Sequence, residues 1–320
     1  MTYIDVFNGD ADGICALQQL RLAHPRQSTL VTGVKRDISL LKRVDAQVGD
    51  EVTVLDVSLD KNRQPLLELL ARGAHVSYFD HHFAGEMPAH ELFSSHIDTT
   101  PETCTSLIVD RHLQGAHRAW AVVGAFGDNF DLSARTAAQP LGLAGDEVDL
   151  LRQLGICLNY NGYGAAIDDL YYPPADLYRH LHPYTDPLAF IAEVPEVFET
   201  LRAGSREDVN RAKGVAAELV NDQIALFIFP AEAWARRVSG VYSNELASTY
   251  PDRAHALLTQ LPQGGYLVSV RAPLNNKGGA DDLCRAFPTG GGRKAAAGIN
   301  HLPEDQLSLF IDQFQARYGY

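Results

Sequence analysis

Four apolar runs in the first part of the chain each lead into an aspartate, and this recurrence constrains the fold more than any other feature. Tyr3-Ile4-Asp5-Val6-Phe7 precedes Asn8-Gly9-Asp10-Ala11-Asp12-Gly13, and Val52-Thr53-Val54-Leu55 is closed by Asp56. Ala74-His75-Val76-Ser77-Tyr78-Phe79 ends in Asp80-His81-His82, and Ala121-Val122-Val123-Gly124-Ala125-Phe126-Gly127 precedes Asp128. Short β-prone runs that alternate with segments of helical spacing describe a parallel α/β sheet. Strands are expected at 3–8, 29–34, 51–56 and 75–80, and the run before Asp128 reads as a further strand, a helix or a strand–helix junction. Helical apolar spacing marks 13–23, 38–44, 63–71, 105–113 and 146–160.

In an open α/β sheet, ligands gather outside the carboxyl ends of the strands. A single Asp at such an end is equally well read as a helix cap. Four acidic ends together with a double histidine favour a metal cluster. Carboxylate oxygen mixed with imidazole nitrogen suits manganese, iron, cobalt or zinc better than calcium or magnesium alone.

Further along, the patterns change. Amphipathic stretches between Pro187 and Ala225 read as helices joining two lobes. After Asn221-Asp222 a second set of strands is expected at 224–229, 254–261 and 265–271, with a helix at 240–250 and a last one at 304–318. Domains are therefore assigned as 1–185, a helical linker 186–222, and a smaller mixed α/β domain 223–320. Within the last, Gly290-Gly291-Gly292-Arg293-Lys294 is an anion-cradle candidate, since glycines let successive amides converge. A helix opening at Lys294 would add its N-terminal amides. Arg293 can grip phosphate bidentately, and Arg271 is a second candidate cation.

Composition narrows the function. The net charge of −13 argues against broad binding of long nucleic acid, which needs many Lys and Arg contacts. Four scattered cysteines without paired spacing read as small buried hydrophobes in a reducing compartment. No apolar run approaches a bilayer span and no signal peptide is evident, so a cytoplasmic enzyme is expected.

The ordered set Asp10-Ala11-Asp12-Gly13, Asp56, Asp80-His81-His82 and Gly127-Asp128 resembles the four motifs of the DHH phosphoesterase superfamily. The stretch Gly290-Gly291-Gly292-Arg293-Lys294-Ala295-Ala296-Ala297-Gly298 is similar to the signature of the DHH-associated C-terminal domain. The resemblance implies an α/β architecture: a parallel-sheet N-terminal DHH domain followed by the smaller mixed domain. It implies hydrolysis of phosphate esters in short oligonucleotides, dinucleotides or nucleotide phosphates with manganese, or with cobalt or magnesium, as one or two ions. Asp56 would be shared between ions, with Asp12, His81 and Asp128 on one and Asp10 on the other. Asp80 would orient an imidazole, and His82 would face the substrate as a phosphate contact or an acid.

This chain departs from the pattern at Val6, where many relatives have His, and at Asn8, where RecJ-type relatives have Asp; the Asn8 amide oxygen is the candidate replacement ligand. Thr103-Cys104-Thr105-Ser106 reads as a helix cap beside the site more than as hydroxyls bonding His82 or the ligand, and Lys35-Arg36 as a solvated turn more than as a phosphate clamp. Cleavage of polyphosphate or pyrophosphate, and a non-catalytic nucleotide-binding module, are the alternatives. Duplex DNA and membrane are not expected partners, and a homo-oligomer is compatible with the sequence.

Overall fold

The computed structural model describes residues 1–319, which divide into two compact units with the boundary between Ala203 and Gly204. The first unit runs β1 (Tyr3–Phe7), α1 (Ala11–Ala23), β2 (Thr29–Thr32), β3 (Glu51–Leu55), α2 (Leu59–Ala71), β4 (His75–Asp80) and β5 (Phe93–Ile97). Helices α3 (Thr105–His112), α4 (Arg118–Gly127), α5 (Asp131–Ala138), α6 (Gly145–Asn161), α7 (Pro174–Leu181) and α8 (Pro187–Glu193) follow. Helix α9 (Pro195–Gly214) carries the division between the units.

The five strands form one sheet of order β2-β1-β3-β4-β5, every pairing parallel. Side chains alternate across the sheet. Ile4, Val6, Val52, Val54, Val76 and Tyr78 enter one core cluster with Leu66, Leu69 and Leu70 of α2. Phe7, Leu55 and Phe79 enter the other, with α1, α4 and α6. Asp5, in the middle of β1, is the exception to the apolar rule. Its fully buried carboxylate accepts from Arg21 Nε at 2.8 Å and Nη2 at 2.5 Å, so the charge is paired.

Connections leave β1 toward β2 on one side and reach β3 and β4 on the other. The order therefore reverses at the β1/β3 boundary, where a crevice opens beyond the strand ends. Asn8, Asp10 and Asp56 follow directly from those two strands.

The second unit holds β6 (Leu219–Val220), β7 (Ile224–Phe229), α10 (Ala233–Thr249), β8 (Ala254–Gln260), β9 (Tyr266–Arg271), α11 (Ala280–Arg285), β10 (Gly290–Arg293), β11 (Ala296–Leu302) and α12 (Leu307–Tyr318). Its sheet has the order β10-β11-β9-β8-β7-β6, parallel only between β7 and β8. Among the described residues, no helix is long and apolar enough to cross a membrane.

Of the readings open for the run before Asp128, the structure takes the helix: it is α4, with Trp120, Val122, Val123 and Phe126 all buried in the core, and a segment apolar on every side carries no period that tells strand from helix. Two other points differ from expectation. Residues 294–297 do not open a helix: a short turn returns the chain as β11, paired antiparallel with β10. Strand β5 was not foreseen, because its half-exposed Phe-Ser-Ser-His-Ile sequence on the sheet edge lacks an apolar pattern.

Candidate metal centre

The end of β1 turns sharply through Asn8-Gly9-Asp10 into α1. Asp10 is the N-cap of that helix, its Oδ1 accepting from the backbone N–H of Asp12 and of Gly13, each at 3.1 Å. The capping reading and the site reading are both satisfied by this one carboxylate, because its Oδ2 is turned the other way, 2.6 Å from Lys35 Nζ.

Asp12, in the first turn of α1, is fully buried. Its two carboxylate oxygens accept from the amides of Thr105 and Ser106, both at 2.7 Å, at the start of α3. The cap expected from Thr103–Ser106 side chains is thus replaced by one from Asp12. No side chain of the segment caps α3; Thr105 Oγ1 instead donates to Asp56 Oδ1 at 3.2 Å, and Ser106 Oγ to the Asp12 carbonyl at 2.8 Å. The segment's hydroxyls brace two of the acidic residues.

Asp56 follows β3 with φ at 57°, in the left-handed region that Asp and Asn tolerate better than other side-chain-bearing residues. That turn aims the carboxylate into the crevice, 3.4 Å from His81 Nε2. Asp128, at the C-cap of α4, reaches the same nitrogen with Oδ2 at 3.7 Å. Gly127 lets α4 approach closely enough: a Cβ there would lie 2.3 Å from Ala11 Cβ and 2.7 Å from Gly155 O.

Donor atoms of Asp12, His81 and Asp128 lie within 4.8 Å of one another, as do those of Asp56, His81 and His82. The structure therefore brings Asp10, Asp12, Asp56, His81, His82 and Asp128 together, with Asn8 at the rim. Asn8 Oδ1 is buried without a hydrogen-bond partner, an oxygen free to accept. Burial, and then the neighbouring Asp10, Asp12 and Asp128 charges, push the Asp56 carboxyl well above the ordinary carboxylate range. Burial likewise raises Asp128, to about 6 despite the opposing Lys35. Crowded carboxylates that resist ionising, an imidazole, and an unused amide oxygen make a donor set that suits a divalent transition ion.

Asp80 does not point at this cluster of donors. Fully buried, it accepts from the His81 amide at 2.9 Å and from His82 Nδ1 at 2.7 Å. It therefore fixes the ring of His82, and this hydrogen bond raises the His82 pKa against the effect of burial. His82 is the more exposed of the two histidines.

Lys35 overturns the expectation of a solvated turn. Its Nζ reaches Asp10 Oδ2, Asp128 Oδ1 at 3.0 Å and Asn159 Oδ1 at 2.8 Å. Burial opposes the charge, but Asp10 and Asp128 hold the ammonium protonated far above the usual lysine range. In turn Lys35 overcomes burial to hold Asp10 below its ordinary pKa. Asn159 and Lys35 were missed by sequence reasoning; the available signal for Lys35 was that β2 ends at the same sheet edge as the acidic strands. Asn8, Asp10, Lys35, Asp56, Ser58, Lys61, His81, His82 and Asp128 line a cleft of about 330 Å³.

Solved structures show a similar fold. A RecJ exonuclease bound to manganese superposes with a TM-score of 0.67 at 18% identity, covering 98% of this chain and 89% of that one. A DHH domain from a protein described as a member of a family of ribosomal proteins gives 0.67 at 12%, covering 99% and 86%. The chain shares the fold of these structures, one of them a DHH domain. A pGpG-specific phosphodiesterase, PggH from Vibrio cholerae, superposes with a TM-score of 0.58 at 13% identity, over 99% of this chain and 98% of that one. No protein-family model and no curated protein matches the sequence.

The second unit carries the remaining candidates. Ala296 of β11 pairs with Arg293 on one side and Arg271 on the other, which places both arginines on one sheet face. Arg293 is exposed. Arg271 is held by Asn244 Oδ1 at 2.9 Å and Ser269 Oγ at 3.0 Å. Gly290 and Gly292 are required by packing, since a Cβ would strike Cys284 O at 1.7 Å and Ala297 Cα at 2.5 Å. Gly291 differs, with open space where a Cβ would stand.

Proposed function

We propose that the protein is a metal-dependent phosphoesterase that hydrolyses phosphate esters of short oligonucleotides, dinucleotides or nucleotide phosphates. The observation that carries this reading is the convergence of Asp12, Asp56, His81 and Asp128 at the switch point of a DHH-fold sheet, beside a buried Asp80–His82 pair. These four residues would hold a divalent ion such as manganese. When bound, the ion would supply an activated water and neutralise phosphoryl charge.

The chain's own residues account for the rest. Asp80 holds His82 with its Nδ1–H occupied, leaving Nε2 to protonate a leaving oxygen or bind a phosphate oxygen. Lys61 and Ser58 border the same cleft and extend its polar wall. On the second unit, Arg271 and Arg293 stand two strand spacings apart, roughly 9–10 Å, with small residues between them. That surface suits a phosphate and a short stretch of backbone, and Gly291 leaves its floor open to a ligand. The net charge of −13 supports a short substrate over a long polyanion.

Phosphate or nucleotide release from a linear dinucleotide, phosphoadenosine phosphate and inorganic polyphosphate, assayed side by side with manganese, tests the reading. Turnover of the dinucleotide or the nucleotide phosphate is expected. Turnover of polyphosphate alone would move the protein to the phosphate-chain hydrolases, and binding without turnover of any of the three would leave a nucleotide-binding module.

A further inference from the structure

We infer that Lys35 is a built-in cation of the centre, which consequently takes a single divalent ion. The inference rests on the proposed metal site and specifies its composition.

The ammonium has three N–H donors, and three oxygens from three elements meet it: Asp10 Oδ2 from the cap of α1, Asp128 Oδ1 from the end of α4, and Asn159 Oδ1 from α6. The Asn159 amide is oriented for this task, because its Nδ2 donates to Tyr163 Oη at 3.1 Å and leaves Oδ1 facing Lys35. The backbone is seated as well. The Lys35 N–H donates to Gly162 O at 2.9 Å, and the loop passes so close to Gly9 that a Cβ there would lie 1.9 Å from Gly33 O. This lysine is fixed at both ends.

Its presence changes the donor inventory. Asp10 Oδ1 caps α1 and its Oδ2 meets Lys35, so a second ion approaching Oδ2 would compete with the ammonium for it. Asp128 is divided, with Oδ1 on Lys35 and Oδ2 toward His81. The two triads that can hold a metal both draw on His81, and the same Nε2 is the atom nearest Asp56 and Asp128. They describe one coordination centre. A second divalent ion would have to evict a tethered charge from the oxygens it already satisfies.

Manganese stoichiometry measured by elemental analysis after equilibrium dialysis, with electron paramagnetic resonance on the same samples, tests the inference without any activity assay. The wild-type chain is expected to hold one manganese per chain with an uncoupled spectrum. Lys35→Met frees Asp10 Oδ2 and Asp128 Oδ1, so its content should rise to two, with an exchange-coupled signal. Lys35→Arg keeps the charge and should stay at one. Two coupled ions in the wild-type chain would overturn the inference, whether or not the methionine variant folds. A folded Lys35→Met that still binds one would overturn the role of Lys35. Absence of manganese from all three proteins would instead remove the metal site itself.

Discussion

Substitution of Asp56 separates its backbone role from its role as a ligand. With φ at 57°, Asp56 adopts a conformation that costs an ordinary side-chain-bearing residue about 1–2 kcal/mol, less for Asn and nothing for Gly. Its Oδ1 also accepts the hydroxyl of buried Thr105 at 3.2 Å, a bond that Asn can keep and Ala cannot. A typical hydrogen bond contributes about 1 kcal/mol net. Asn, Ala and Gly all remove the same charge from the acidic cluster, so that electrostatic change cancels when they are compared with one another. Asp56→Asn should therefore exceed Asp56→Ala by about 2 kcal/mol, with Gly between them. For a unit that ends at Ala203 this is roughly 4–8 °C in melting temperature. The assay is thermal unfolding in chelator, repeated in excess manganese. Manganese should raise the melting temperature of the parent, by linkage of about 2.7 kcal/mol at a hundredfold excess over Kd, and leave all three variants almost unmoved. Equal stability of Asn and Ala would refute the backbone argument. A manganese response in Asp56→Ala as large as the parent's would refute its place among the ligands.

Chelation should abolish hydrolysis, and manganese or cobalt should restore it best; full turnover in chelator would end the metal reading. Asp80→Asn should leave manganese affinity unchanged while lowering kcat by roughly 10²-fold or more, since it removes the group that orients His82; an equal loss of metal affinity would place Asp80 among the ligands. Arg293→Ala should raise KM for a dinucleotide by roughly tenfold, as expected for loss of a charge-assisted bond to phosphate, with manganese binding unaltered in calorimetry. Val6→His should gain no metal affinity. Val6 is fully buried in the cluster that holds Leu40, Leu41 and Val54, so an imidazole there should cost stability, measured as a lower urea midpoint, by about 2 kcal/mol or more.

The strand ends that carry Asp56 and Asp80 were legible because a parallel strand is a nearly continuous apolar run closed by a charged residue, and β1 keeps that signal despite Asp5, with Asp10 just beyond its end. Asp128 was legible as a candidate although the element before it was open between strand and helix: the acid follows the same apolar signal in either case. Lys35 was not legible. Nothing in Val34-Lys35-Arg36-Asp37 distinguishes a lysine pointing inward from one in solvent; the distinction is made by Gly162 O, Asn159 and Asp10, which come from other parts of the chain. The hydroxyl segment 103–106 failed for a related reason. Ser and Thr before a helix suggest a local cap, but a buried carboxylate 93 residues earlier supplies it, with Thr105 N to Asp12 Oδ2 the bond that shows this. In the second unit, Lys294 to Ala297 lacked any feature that would separate a hairpin return from a helix start.

The grip of α3 on Asp12 has a consequence for how the centre can drift over generations. The donors are peptide N–H groups of Thr105 and Ser106, present whatever side chains occupy those positions, proline excepted. The identity of either residue can wander without loosening the carboxylate, so long as the helix still begins there. Random mutagenesis of 105 and 106 should reject proline at both and accept only replacements small enough for these buried positions, which keep the amide bonds and lose the hydroxyl contacts to Asp56 and to the Asp12 carbonyl. A carboxylate anchored in this way depends on the path of the chain more than on the letters at 105 and 106.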